Sequence, residues 1–228
     1  MPKASRTKQE IELIRDMILD TALQLIIDGG FSSLSMRRIA SRLGITATTI
    51  YNYVSCKDEL NLLIRMRGFG MLYDKLERGY ESGRTHEGRL GAMIRGYAEF
   101  GVSFPAYYDI MFNMATPKYR DYVGTEMEPA ALREKEIALR CFDIFTRLLR
   151  EYVEDYRLDV DEGFINGHIL ALWSDLHGII SLFNSRVLLE VNEEGQTIID
   201  RRVNDIIAAA LPLNGSPRGM TDKKKRKR

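Results

Sequence analysis

The sequence predicts an all-α protein, and three observations carry that prediction. Apolar residues recur at the three- and four-residue spacing of amphipathic helices almost throughout. Period-two strand patterns are nearly absent, and glycines with capping residues punctuate the chain at helix-length intervals. With 228 residues, 45% hydrophobic and 29% charged, the chain can bury a real core, as one large domain or a small one joined to a medium one.

The first helix is predicted from Lys8 to Asp28, with Ile11, Ile14, Ile18, Ala22 and Leu25 on one stripe. Gly29-Gly30 ends it, and Phe31 and Leu34 anchor the chain before a short second helix, SMRRIASRL, that opens at Ser35. Met36, Ile39, Ala40 and Leu43 face inward there, leaving Arg37, Arg38 and Arg42 outside. Gly44 breaks that helix, Ile45 follows as a buried plug, and Thr46 is a natural N-cap for a third helix, ATTIYNYV. Ser55 with Asp58 three residues on reads as a capping box opening a fourth helix that runs to about Tyr80. Its apolar residues are Leu60, Leu63, Ile64, Phe69, Met71 and Leu72. Glu81-Ser82-Gly83 reads as a hinge and a domain boundary. Longer helices are expected over 87–102, 104–114, 127–156, 161–187 and 195–211, with a loop from Ala115 to Gly124. The tail from Pro212 is predicted to be disordered.

Composition excludes several classes. Cys56 and Cys141 lie far apart without spacing partners, so neither a disulfide framework nor a thiolate zinc site is expected. The opening MPKASRTKQE lacks the apolar core of a secretory signal, and no run approaches the roughly 18 apolar residues that span a bilayer. A cytoplasmic protein with no membrane partner is expected. His86, His168 and His177 have no metal-ligand spacing, and no phosphate-cradling glycine loop is present. The reading is therefore no enzyme, no metal and no cofactor.

The net charge of +1 conceals an uneven distribution. Seven basic residues and one acid, Asp222, fall within 217–228; the rest carries 26 basic against 31 acidic side chains. Yet Phe31 to Lys57 holds Arg37, Arg38, Arg42 and Lys57 without one Asp or Glu. An acid-free basic stretch inside an acidic chain is either a chance gap or a surface that faces a polyanion.

Ile39 to Tyr53 fits a helix-turn-helix: Ala40 is small where two helices nearly touch, Gly44 makes the turn, and Ile45 and Ile50 fix the crossing. The outward residues of the second helix are then Ala47, Thr48, Thr49, Asn52 and Tyr53. Hydroxyls and an amide suit phosphates and base edges, and asparagine can bond adenine bidentately. Ser35, Arg37 and Arg38 open the preceding helix, where fixed charge and the helix N-terminus both favour phosphate.

The run LSMRRIASRLGITATTIYNYVSCKDEL resembles the DNA-binding signature of the TetR family of repressors. The match takes in Ala22 and Gly30, then S-M-R-x-I-A, L-G-I-T, T-I-Y-x-Y and K-D-E-L, over about fifty residues from Ile11 to Leu63. The resemblance implies that Arg37 contacts DNA and that the Thr49 and Tyr51 hydroxyls bond phosphates, with the Tyr51 ring half-buried. It further implies that Tyr53 reaches the backbone or a base and that Lys57 holds a phosphate. Val54 departs from the commoner Phe, and Cys56 stands where a small polar residue is usual.

Together with the hinge at Glu81-Ser82-Gly83 and the basic composition of 212–228, the resemblance implies a three-helix DNA-binding domain over 1–56 with a connecting helix over 57–80, then a helical effector-binding and dimerisation domain over 81–211, followed by the basic tail. The 161–187 helix is apolar over more than one face and the 195–211 helix adds a second stripe, as a homodimer interface requires. Trp173-Ser-Asp-Leu-His177-Gly178 is similar to the W-x-x-L-H-G stretch of one C-terminal subclass. Phe104, Tyr107, Tyr108, Met111 and Phe112, with Phe142, Phe145, Trp173 and His177, are candidates to line a pocket for an unidentified small effector; simple core packing is the other reading. The expected mechanism is release of a palindromic double-stranded operator by that effector. A helical DNA-binding or partner-binding module without an effector stays open, as does an inert role for the terminal KKKRKR.

Overall fold

The computed structural model describes residues 7–191 and 194–211, and among these the regular structure is helical with no β-strand. The helices are α1 (Lys8–Gly29), α2 (Met36–Leu43), α3 (Ala47–Tyr51), α4 (Lys57–Ser82), α5 (His86–Ser103), α6 (Pro105–Tyr108), α7 (Tyr119–Tyr122), α8 (Glu128–Asp155), α9 (Glu162–Asn184), α10 (Val187–Val191) and α11 (Gly195–Ala209). No helix among the described residues is long and apolar enough to cross a membrane. The tail from Pro212, with its KKKRKR, and the Phe31 side chain lie outside the described residues.

Contacts group the chain into two compact units, each discontinuous in sequence. The first joins the residues up to Gly70 with Phe104–Ala138; the second joins Met71–Ser103 with the residues from Leu139 onward. The sequence hinge at Glu81-Ser82-Gly83 does mark the end of α4, but packing divides along another line. The first unit takes in Phe104–Ala138 because α6 docks on α1 and on α4 at Gly68. A Cβ at Gly68 would meet Met111 Sδ at 2.5 Å and Tyr107 Cδ1 at 3.0 Å.

In the first unit α1 buries Ile18, Leu19, Ala22, Leu25 and Ile26, and α2 buries Met36, Ile39 and Ala40. Ile50, Leu60 and Ile64 are also buried in this unit, and Leu62 packs separately on Tyr122 and Ala131. The continuous helix expected over 104–114 is instead α6 followed by a π-helical turn, Asp109–Asn113. The wider turn sets Ile110 and Met111 in the core beside Tyr107 and Tyr108. Within the expected loop 115–124, four residues form α7.

In the second unit α5, α9 and α11 pack on one another through Met93, Ile94, Ile169, Leu176, Ile180, Ile199 and Ile206. The helix expected over 161–187 stops at Asn184, because Arg186 takes a left-handed φ of 63° and starts α10 in a new direction. At Gly79 the crossing with α5 is so close that a Cβ would lie 2.7 Å from the Met93 backbone nitrogen and 2.9 Å from the Ala92 carbonyl carbon.

Gly79→Ala is therefore expected to lower stability by about 1–3 kcal/mol through overpacking against backbone that cannot yield. A Cβ at Gly70, also inside α4, meets nothing within 4 Å. Gly70→Ala should then stabilise by up to about 1 kcal/mol through helix propensity alone. Paired urea unfolding curves check both; equal effects would contradict the close crossing.

Candidate nucleic-acid interface

Local rules set the geometry of α2 and α3. Ser35 caps α2, its Oγ accepting the Arg38 amide at 3.2 Å. Gly44 ends the helix in the left-handed region at φ 67°, which an L side chain enters only at a cost. Its amide bonds the Ser41 carbonyl and the Ile45 amide bonds that of Ala40, the paired closure of a Schellman turn. Thr46 then caps α3, accepting the Thr49 amide at 3.1 Å, and the two threonine hydroxyls lie 2.9 Å apart. Ile50 is fully buried and pins α3 to the core.

That anchoring leaves an outward face. Thr48, Tyr51 and Asn52 are exposed, and Ala47 and Thr49 half-buried. Arg37 and Lys57 are exposed on the neighbouring elements, and Arg37 makes no hydrogen bond or ion pair among the described residues. The other arginines are partly engaged. Arg38 donates from Nη1 to the Ser33 carbonyl at 3.1 Å, and Arg42 pairs with Asp28 at 2.6 Å. The hydrogen-bonded Arg42 guanidinium holds the Asp28 carboxyl below the usual carboxylate range. The acid-free stretch thus receives one acid from α1, which sequence spacing did not reveal. Ile45, expected as a buried plug, is only half-buried.

One expectation is reversed. Tyr53, placed outward by a helix running to Val54, is 6% exposed, while Tyr51, expected half-buried, keeps 54% of its surface exposed. The reason is that α3 ends at Tyr51, so Asn52 and Tyr53 lie in a turn and the helical rotation that would carry Tyr53 outward is lost. Arg15 fixes this turn, its Nε donating to the Tyr53 carbonyl at 3.0 Å. Val54, 1% exposed, fills the adjoining core position.

The capping box before α4 also sits one residue later than expected. Glu59, not Asp58, receives the Ser55 amide at 2.6 Å and hydroxyl at 2.7 Å, while the Cys56 Sγ accepts the Glu59 amide at 3.4 Å. Cys56 thus serves as the cap and also touches Met127 Sδ at 3.7 Å. Burial pushes the other thiol, Cys141, up to about 12, so it stays protonated in the core of the second unit.

The candidate effector residues fall into both units. Tyr107, Tyr108 and Met111 are buried in the first unit. There Phe112 meets Phe69 edge-on at 5.5 Å and Tyr108 at 4.9 Å, and Phe104 is half-buried. In the second unit Phe145 lines a cleft of about 10 Å³ with Leu90, Leu148 and Ile169, and Phe142 is half-buried. Trp173 donates its indole N–H to the Tyr97 hydroxyl at 2.9 Å, and its ring lies 6.2 Å from that of His177. The larger groove of that unit, about 410 Å³, is charged and carries none of the candidates; Tyr73, Arg140 and Arg147 are among its walls.

A short helix pinned by one isoleucine, presenting hydroxyls and an amide beside fixed positive charge, has the form of the second helix of a helix-turn-helix. The family profile described as "Bacterial regulatory proteins, tetR family" matches residues 18–62, and "Tetracyclin repressor-like, C-terminal domain" matches 90–206. The chain belongs to the TetR family of transcriptional regulators. It is similar to the HTH-type transcriptional regulator Rv0681 of Mycobacterium tuberculosis, 22% identical over 85% of this chain and 82% of that protein. It is also similar to the regulator Mb1846 of Mycobacterium bovis, 25% identical over 51% of each chain, so it spans about half the length of that relative. The solved regulatory protein SCO4313 shares the fold, with a TM-score of 0.70 and 20% identity over 90% of this chain and all of the other.

Tyr53→Ala is expected to cost about 3 kcal/mol through loss of a buried ring, and Tyr51→Ala less than about 0.5 kcal/mol. Denaturant titration separates them, and the opposite ranking would overturn the turn geometry. Burial also holds the His177 imidazole below its ordinary value of about 6.5. Its contribution to stability is present above that value and lost as the pH falls through the lower folded value. Melting temperatures between pH 7.5 and 5.5 should therefore fall less steeply for His177→Gln; an unchanged slope counts against this.

Proposed function

We propose that the protein is a homodimeric repressor that binds a palindromic operator in the cytoplasm and is released by a small apolar or aromatic effector. The observation that carries the DNA half is the outward face of α3. Thr48, Thr49, Tyr51 and Asn52 enter the major groove, Ala47 allows close approach, and Ser35, Arg37, Arg38 and Lys57 hold the flanking phosphates. Tyr53 supports this surface from beneath rather than touching DNA.

Dimerisation is supported by α9, which buries Ile165, Ile169, Leu172, Leu176 and Ile180 on one side and leaves Phe164, Leu170, Trp173 and Leu182 between 40% and 48% exposed on others. Apolar exposure on that scale along one helix fits a second copy, with α11 alongside. Two recognition helices roughly 34–36 Å apart then meet successive turns of one duplex face. The effector must bind a DNA-incompetent conformation more tightly than the competent one, or it releases nothing. The close packing of Tyr108 and Met111 favours a second reading, a DNA-binding protein whose aromatic cluster is only core. A panel of hydrophobic compounds that neither raises the melting temperature nor releases DNA would select that second reading.

Arg37→Ala and Lys57→Ala should each weaken binding to a 30-bp duplex and reduce the slope of log affinity against log salt by about two, one lost contact in each protomer of the dimer. Arg42→Ala, whose charge already pairs with Asp28, should change that slope less. Equal slopes for all three would refute the assigned surface. Leu170→Glu should yield monomers by light scattering and weaken binding to a two-half-site duplex; unaltered dimers would move the interface elsewhere.

A further inference from the structure

The first unit contains a buried polar centre that the proposed DNA contacts leave unexplained. Arg65 of α4 and Glu134 of α8 form an ion pair, Nη2 to Oε1, at 2.7 Å, with only 6% and 4% of their side chains exposed. Arg65 also donates from Nη1 to the Pro117 carbonyl at 3.2 Å. Around this pair stand Asn61, 2% exposed and one helical turn before Arg65, and Tyr122 of α7, 4% exposed. Tyr122 packs on Leu62 and Ala131, one turn away from the ion pair on both helices.

This arrangement is a poor device for stability. The ion pair leaves other polar atoms unserved: Arg65 Nε, Asn61 Oδ1 and the Tyr122 hydroxyl have no hydrogen-bond partner among the described residues. A buried ion pair offsets its desolvation only when its geometry is good and its remaining donors and acceptors are satisfied. Apolar side chains would hold the same helices together at least as well, as Leu62 of α4 and Ala131 of α8 do one turn away. What a guanidinium held between the Glu134 carboxylate and the Pro117 carbonyl adds over apolar packing is a defined rotation and register.

The setting of α4 matters because it begins at Lys57, two turns before Arg65 and six residues after the end of α3. We infer that Arg65 and Glu134 are positioning residues for DNA recognition. The pair, with the Pro117 carbonyl, clamps α4 in the rotation that sets Lys57 and α3 against the duplex. The inference rests on the DNA-binding reading above and touches no nucleotide itself.

The test is the double variant Arg65→Met/Glu134→Leu in the full chain, which removes both charges and leaves neither buried alone. The probe is the duplex that wild-type protein enriches from a random 30-bp library, with an unenriched 30-bp duplex as reference. The clamp predicts a melting temperature equal to or above wild type and binding to the reference duplex within twofold. Binding to the enriched duplex should be weaker by at least tenfold. Wild-type affinity for the enriched duplex in the folded double variant would overturn the clamp alone. Should that variant fail to fold, Arg65→Lys decides: it keeps the charge but not the fork that reaches both Glu134 and Pro117. At least fivefold weaker binding to the enriched duplex supports the clamp, and unaltered binding overturns it. Failure of wild-type protein to enrich any duplex would overturn both this inference and the DNA-binding reading.

Discussion

The burial of Ile50 is the constraint on which the proposed DNA-facing surface depends. α3 is too short to hold an orientation by itself, since a few residues cannot offset the entropy of nucleating a helix. Its setting comes from outside: Gly44 turns the chain, Thr46 caps the first amides, and Ile50, fully buried, fixes the rotation. With that rotation fixed, Thr48 and Tyr51 face outward, and the early end of the helix turns Tyr53 inward. The surface follows from packing beneath it, with no contribution from the DNA.

A second level of control lies in α4. Its first turn carries Lys57, while Cys56 and Glu59 settle the orphan amides by a cap in which a thiol replaces the usual hydroxyl. Arg67 ties α4 to α1 through Asp20 at 2.6 Å. Such exposed pairs contribute little to stability, so the hold on α4 in the first unit rests on its buried faces. There Gly68 admits Met111 and Tyr107, which is why the aromatic and methionine cluster of 104–114 belongs to the same compact unit as the helix-turn-helix. The candidate effector residues of that cluster therefore lie in the unit that carries α3.

Much of this was legible in the sequence because it is written in local chemistry. The stripe of α1, the Ser35 cap, the Gly44 turn and the Thr46 cap each follow from residue type and spacing within a few positions, and the family signature falls on the same residues. The misreadings are of another kind. Periodicity carried α3 to Val54, but helix length depends on where the chain must turn back, here at Asn52 and Tyr53, with the Tyr53 carbonyl held by Arg15 from thirty-eight residues away. The pairing of Arg42 with Asp28 and the buried meeting of Arg65 with Glu134 join residues that no local window compares. The π-helical turn at Asp109–Asn113 and the left-handed Arg186 leave no mark in hydrophobic spacing.

Hydrogen–deuterium exchange of the full chain with and without a bound duplex tests the central claim most directly. The account predicts added protection concentrated at Ser35–Arg38 and Thr46–Lys57, with the outward face of α9 little changed. Protection confined to other helices, with the amides of α3 exchanging as in the free protein, would contradict it.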